Sequence, residues 1–409
     1  METQQNGLFR RNGISYMVPF VLVTTLFFLW GFARAILDIL NKHFQNELNI
    51  SITQSSLIQV TTYLGYFLMA IPAGLFINRW GYRRGVVFGL TLFGAGSLLF
   101  IPGSYVGTFN AFLLCLFIIG CGLTFLETAA NPYVTELGAP ETSTSRLNLS
   151  QSFNGLGSLF ATFVIGQFFF DTESSGSVVV PYSILGALVI LIAVIFAHVP
   201  LPEINLDTNA ESTSTEDKHE TGGLSNIREL FAHHPMFIFG LLALLAYEVS
   251  EISINSYFIN FVTGKGWMGD NTASIVLTCA LAFFMVGRFV GSWIMRRFSG
   301  KTILLICAIG TVVSMSLVLM DLGRLSLIAL LANYFFEAIM FPTIFSLALI
   351  GVGKLTKSAS SLLMMTPVGG CGFLLMGFVA DRTNLILPFA IPLAGYLIIL
   401  IYALVLRKK

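Results

Sequence analysis

Long apolar runs separated by short polar turns fill most of this chain. A helix crossing a bilayer needs roughly 20 predominantly apolar residues, and twelve stretches meet that template. Six of them run near Pro19–Leu40, Leu57–Ile77, Val86–Ile101, Phe109–Val134, Leu147–Phe170 and Val180–Val199. A polar interval follows, holding the run NLDTNAESTSTEDKHETGG, which cannot bury a core and reads as a flexible linker. Six more runs lie near Pro235–Thr263, Thr272–Met295, Thr302–Met320, Leu325–Ile350, Ala359–Ala380 and Leu387–Leu406. The pattern predicts an all-α membrane protein of twelve transmembrane helices in two six-helix bundles, 1–199 and 235–409, joined by a cytoplasmic linker, 200–234.

Composition points the same way. Of 409 residues only 11% are charged, against about 25% in soluble domains, too few to cover a water-facing surface. The net charge of +1 gives no reason to expect nucleic acid as a partner. The five cysteines (Cys115, Cys121, Cys279, Cys307, Cys371) all fall in apolar segments without a CxxC pair. They read as buried small hydrophobes, with no disulfide framework and no metal site. With no nucleophile–base pair and no phosphate-cradling glycine loop, neither an enzyme nor a cofactor is expected. The segment METQQNGLFRRNGISYM is polar and leads into a full-length apolar helix, so it does not read as a cleavable signal peptide.

Orientation follows from Lys and Arg near the helix ends. Alternating the spans places sixteen of the 22 cations on the side of the termini and the linker. Four (Lys42, Lys265, Arg324, Arg382) fall on the other, and Arg34 and Arg288 lie within spans. Both termini and the linker are therefore expected in the cytoplasm. The halves also repeat a basic turn. Gly74-Leu-Phe-Ile-Asn78-Arg79-Trp-Gly81-Tyr-Arg83-Arg84 follows span two, and Gly291-Ser-Trp-Ile-Met-Arg296-Arg297-Phe-Ser-Gly300-Lys301 follows span eight. Repeated bundles of this kind form a substrate site near the membrane midplane in transporters. The turn residues Gly74, Asn78, Arg79, Gly81 and Arg83 read either as a gating element or as plain positive-inside anchors.

Charges within spans are costly, about 2.5–3.5 kcal/mol at a helix centre on insertion scales, and so mark functional candidates. Asp38, Glu127, Glu248, Glu251 and Glu337 lie in spans one, four, seven and ten, the leading helices of four successive three-helix units. Equivalent helices of a repeat line the same space, so these acids are expected to converge. Arg34 and Asp38 are four apart and share a helix face, as do Glu127 and Asn131. Gln151, Asn154 and Ser158 form a polar stripe on span five. Carboxylates and amides side by side suit sugar hydroxyls, which both donate and accept hydrogen bonds; the competing reading is interhelical glue. Trp30 can stack on a sugar ring or simply pack. A carboxylate in a low-dielectric cavity can exist protonated, which makes Asp38 and Glu127 candidate proton-coupling groups.

At these residues the sequence resembles the fucose–galactose–glucose:proton symporters of the major facilitator superfamily. The resemblance rests on Phe27-Phe-Leu-Trp-Gly31 with Asp38, Leu126-Glu-Thr-Ala-Ala-Asn-Pro-Tyr133, and Arg146-Leu-Asn-Leu-Ser-Gln-Ser-Phe-Asn154. Ile339-Met-Phe-Pro-Thr-Ile-Phe-Ser-Leu347 and Met376-Gly-Phe-Val-Ala-Asp381 extend it towards the C-terminus. It implies an alternating-access fold able to work as a monomer in a bacterial inner membrane, importing a small sugar with a proton. Asp38 would carry the proton, Glu127 would serve recognition and coupling, and Gln151 and Asn154 would contact the sugar. Glu251 and Asn255, in Glu251-Ile-Ser-Ile-Asn-Ser256, resemble a branch associated with glucose, galactose or related sugars. L-Fucose is the leading substrate expectation. Three departures stand out: Asn78 where the superfamily turn usually has Asp, Arg34 where an uncharged polar residue is expected, and Glu337 at an expected apolar position. Arg34 raises the alternative of an anionic or N-acetylated sugar. A transporter-like sugar sensor is a further alternative.

Overall fold

A computed structural model of the chain describes residues 9–11, 14–138, 143–170, 177–199, 223–295 and 297–408. Most of the expected linker, 200–222, and Arg296 of the second basic turn lie outside the described residues. Apart from a two-residue antiparallel pairing of Arg10-Arg11 with Ile14-Ser15, the described chain is helical. Backbone contacts divide it into two compact units, one of 1–37 with 61–215 and one of 38–60 with 216–409.

In order, the helices are α1 (Met17–Leu48), α2 (Ile52–Ser55), α3 (Leu57–Trp80), α4 (Tyr82–Leu98), α5 (Phe100–Val106) and α6 (Phe109–Glu136). Next come α7 (Ser143–Phe170), α8 (Val179–His198), α9 (Gly223–His233), α10 (Pro235–Gly264), α11 (Asp270–Ile294) and α12 (Gly300–Leu319). The last five are α13 (Arg324–Glu337), α14 (Met340–Ala348), α15 (Thr356–Leu363), α16 (Phe373–Arg382) and α17 (Ala390–Lys408). Eleven of the twelve expected spans are helical stretches long and apolar enough to cross a bilayer. The eleventh, expected near 359–380, is broken into α15, a 3-10 stretch Thr366–Gly372 and α16. Pro367 supplies no backbone donor and Gly369-Gly370 give no side-chain support, so an α-helix is not maintained there. Such breaks survive at membrane depth where protein covers them, and the break packs against α10.

Side-chain exposure follows the demands of lipid. Leu64, Phe67, Leu68, Ile71 and Leu75 project outward from α3, as do Ile184, Leu188 and Leu191 from α8. In water such a surface would be an aggregation hazard; in hydrocarbon it costs nothing. By contrast α10 is buried on all faces from Ile252 to Val262, because it packs against α11, α14, α16 and α17. The five cysteines are free thiols; Cys279 is exposed and Cys371 half-buried, which corrects the expectation that all five are buried.

Two features set the positions of the polar groups. In the first unit, α1 and α7 cross with backbone against backbone. A Cβ on Gly157 would stand 2.1 Å from the Phe28 carbonyl oxygen, and one on Gly31 would stand 2.0 Å from that of Asn154. This contact brings Trp30 and Arg34 on α1 alongside the polar stripe of α7. In the second unit the Asp381 carboxylate, just beyond the apolar stretch, accepts from the backbone N–H groups of Ile52 (3.2 Å) and Thr53 (2.8 Å) at the start of α2. Partial burial would raise the Asp381 pKa, but these bonds outweigh it and hold it below its ordinary value of 3.8.

Gly157→Ala is expected to force α1 and α7 apart at a cost of about 1–3 kcal/mol, read as a lower melting temperature of the purified protein in detergent. An unchanged melting temperature would contradict the close crossing. For Asp381 the folded-state pKa lies below the unfolded one, so its contribution is present above pH 3.8 and lost as pH falls through the folded value. Asp381→Asn is therefore expected to melt below the wild type at neutral pH, with the difference closing under acid. A gap independent of pH would contradict this.

Candidate functional site

The first unit gathers its polar groups on α1, α3, α6 and α7. The Trp30 indole Nε1 donates to the Tyr66 hydroxyl at 2.9 Å, which ties α1 to α3 and fixes the ring plane. The Arg34 guanidinium stands over the Tyr63 ring, 5.9 Å from its centroid, in cation–π range. It is also within electrostatic reach of Tyr66 and of Glu127 on α6. One turn beyond Glu127, Asn131 Oδ1 lies 3.5 Å from Gln151 Nε2 on α7, a long hydrogen bond. Asn154 Nδ2 donates to the Phe27 carbonyl (3.3 Å) and Ser158 Oγ to that of Gly31 (3.1 Å). A narrow recess is lined by Phe27, Trp30, Glu127 and Asn131 together with Leu26, Leu126 and Ala130.

Chemically this is a ring of donors and acceptors around one cation and one carboxylate, with an indole and two phenols beside them. The bond between Gln151 and Asn131 is long, so both amides retain hydrogen-bonding capacity. Asn154 and Ser158 instead spend theirs on α1 carbonyls and act in part as interhelical ties. Tyr63 and Tyr66 were not singled out by sequence, because a tyrosine within an apolar run reads as packing. Their spacing of three, which places them on the same helix face as each other, is the signal that could have found them.

The second unit holds Asp38, Glu248, Glu251, Asn255 and Glu337. The Ser256 hydroxyl of α10 donates to Asp38 Oδ1 at 2.7 Å. A relay of amides continues from there. Gln59 Nε2 donates to Ser256 Oγ at 2.9 Å, Asn41 Nδ2 to Gln59 Oε1 at 3.0 Å, and Gln45 Nε2 to Asn41 Oδ1 at 3.2 Å. Gln45 Nε2 also reaches Ser55 Oγ at 2.7 Å. Asn41 and Gln59 are fully buried, and neither was singled out by sequence. Asn255 Nδ2 donates to Glu251 Oε1 at 2.9 Å. Asp38, Glu251 and Glu337 all act electrostatically on the buried Tyr334 of α13. Three of the intramembrane acids are thus within electrostatic reach of one phenol. Among the described residues no group of His, Cys, Asp and Glu is placed to hold a metal ion.

The basic turn after α3 is built on Gly81, whose φ of 86° is a conformation that strains any L side chain. Arg79 lies over the Trp80 ring, 5.0 Å from its centroid. Arg83 donates to the carbonyls of Phe196 (3.2 Å) and Ala197 at the C-terminal end of α8, satisfying acceptors that the helix leaves open. Gly74 has open space beside it, and the Asn78 side chain lies outside the described residues. Arg146, expected in a loop, is fully buried and donates through Nε to the Val134 carbonyl near the end of α6 at 3.1 Å.

Comparison with known proteins agrees with this architecture. The model of the Major Facilitator Superfamily matches residues 23–371. A glucose/galactose transporter of Brucella abortus biovar 1 (strain 9-941) is 35% identical over 406 residues, spanning 97% of this chain and 95% of that protein. The L-fucose-proton symporter of Escherichia coli (strain K12) is 34% identical over 419 residues, 95% of this chain and 93% of that one. The crystal structure of the transporter FucP in the outward conformation superposes with a TM-score of 0.71 at 32% identity, covering 96% of this chain and all of that one. The chain belongs to the Major Facilitator Superfamily, as an integral membrane protein with an all-helical transporter fold.

Proposed function

We propose that this protein imports a small neutral sugar together with a proton by alternating access. The sugar is a hexose or deoxyhexose, with L-fucose, glucose and galactose the first to test. The observation that carries this reading is the polar ring of the first unit. An indole, a carboxylate and an amide (Trp30, Glu127, Asn131) line a recess in an otherwise apolar bundle, with Gln151 bonded to Asn131 and Arg34 within electrostatic reach of Glu127; a sugar needs such a mixture of acceptors, donors and a flat apolar face. Trp30, Glu127, Asn131, Gln151 and Asn154 take the sugar hydroxyls and ring in this reading; Glu251 and Asn255 are further candidates for sugar contact. Relatives spanning nearly the whole chain that are named as glucose/galactose and fucose–proton carriers support it.

Asp38 and Glu127 serve as proton-coupling groups. Protonation of Asp38 removes the charge on which the Ser256 hydroxyl and the amide relay are oriented, so a proton there changes what holds α1 to α10. The basic turn of Gly74, Asn78, Arg79, Gly81 and Arg83 serves as a gating element. Both termini and the linker 200–234 lie in the cytoplasm, as the cation asymmetry supports. The working unit is a monomer of two bundles, 1–199 and 235–409, in a bacterial inner membrane.

Asp38→Asn is expected to abolish proton-driven sugar accumulation in liposomes while leaving sugar exchange at no less than about a tenth of wild type. Equal loss of both modes would contradict a coupling role. A second reading follows from Arg34, a guanidinium beside the recess: it clamps an anionic sugar. On that reading a uronate binds wild type at least about tenfold tighter than Arg34→Ala, and equal affinity removes it.

A further inference from the structure

Glu337 has no role in the sugar site of the first unit. It lies at the end of α13, with 0% exposure. Its Oε2 accepts from Asn333 Nδ2 at 2.8 Å and from the Tyr396 hydroxyl of α17. Asn333 Nδ2 also lies 2.9 Å from the Tyr396 oxygen, which closes a triangle of three side chains. All three are fully buried, whereas Glu337 Oε1 has no hydrogen-bond partner.

The surroundings decide what such a carboxyl can do. From α10, Glu251 acts on Glu337 directly, and Tyr247 responds to Glu337, Glu251, Glu248 and Arg288 together. Tyr334 on α13 itself senses Glu337, Glu251 and Asp38. Arg288 of α11 donates through Nε to the Ala338 carbonyl at 3.2 Å, one residue beyond Glu337. The titratable groups that α11 carries besides Arg288 are Asp270 and Cys279; α12 carries Lys301 in its first turn and Cys307, and α14 carries none. Three carboxyls and one guanidinium therefore act on the same phenol, Tyr247, in a low-dielectric bundle. Keeping all of them ionised costs several kcal/mol for each uncompensated charge, and a proton is the smallest counter-charge available.

The triangle can hold that proton or lose it. With Glu337 ionised, the Tyr396 hydroxyl donates to Oε2. With Oε2 protonated, the carboxyl donates to the Tyr396 oxygen and the phenol turns its own hydrogen elsewhere. Asn333 Nδ2 remains a donor to the pair in both states. A carboxyl serving only as fixed glue would have both oxygens bonded, and Oε1 here is bare.

We propose that Glu337 is a further proton-binding site of this carrier, taking up and releasing one proton in each transport cycle. The proposal rests on the sugar–proton symport reading for its place in the cycle, but not for the binding of the proton itself. The charge on Glu251 sets how readily Glu337 gives its proton up, so sugar contact at Glu251 links to proton release at Glu337.

The test is a pair of measurements on the purified full chain in lipid. Infrared difference spectra across the neutral pH range read carboxyl protonation without any sugar. Wild type is expected to show a titrating carboxylic-acid band that Glu337→Gln lacks and that Tyr396→Phe displaces. Because Tyr396→Phe keeps the carboxyl, it keeps the test decisive should Glu337→Gln fail to fold. In liposomes, Glu337→Gln is expected to move one proton fewer per sugar. Its steady-state sugar gradient then falls about tenfold for each tenfold proton gradient imposed. No band assignable to Glu337, or an unchanged proton-to-sugar ratio, would overturn the proposal. A Glu337 band in a protein that moves no sugar would instead uphold proton binding and count against symport.

Discussion

In hydrocarbon a charge or amide has no water to turn to, so every polar group within a span must find its partner in the protein or in its cargo. That constraint organises this molecule. In the first unit it ties Trp30 to Tyr66, brings Arg34 within electrostatic reach of Glu127, and sets Trp30 and Glu127 on one recess. In the second it threads Gln45, Asn41, Gln59 and Ser256 into a relay ending on Asp38. The helices between these groups are apolar on their outward faces, and their packing serves to hold the polar groups in register. The crossing of α1 and α7 at Gly31 and Gly157 is the clearest case, since a single added methyl group would move the tryptophan and the arginine together.

Much of this was legible in the sequence, for physical reasons. A bilayer fixes helix length, so spans could be counted from runs of apolar residues, and the cost of burying charge singled out Asp38, Glu127, Glu251 and Glu337. What the sequence could not show was who partners whom. Spacing of four pointed to a shared face for Arg34 and Asp38 but could not point to Tyr63 and Glu127 as neighbours of Arg34, or to Ser256 as a donor to Asp38. Those partners come from helices 20 or more positions away along the chain, which periodicity within one helix cannot reach. The broken eleventh stretch was hidden for a related reason: its composition is that of a span, and only Pro367 and the adjoining glycines foretold the 3-10 turn.

The two carboxyl sites differ in a way that suits different tasks. Asp38 is half-buried and bonded to a hydroxyl that belongs to a longer relay, so a change in its charge is transmitted along several side chains. Glu337 is sealed and bonded only on one oxygen, with Glu251 within electrostatic reach, so its charge is governed by burial first and by that neighbour second. Glu127, in the first unit, has the cation Arg34 within electrostatic reach.

The central claim is that sugar and proton move together, and the most direct measurement follows the proton. Purified protein in lightly buffered liposomes is given L-fucose, glucose or galactose outside, with no gradient imposed, while external pH is recorded. The account predicts that one of these sugars makes the medium more alkaline as protons enter with it, and that Asp38→Asn abolishes the signal. Sugar entry with no change in external pH would contradict it.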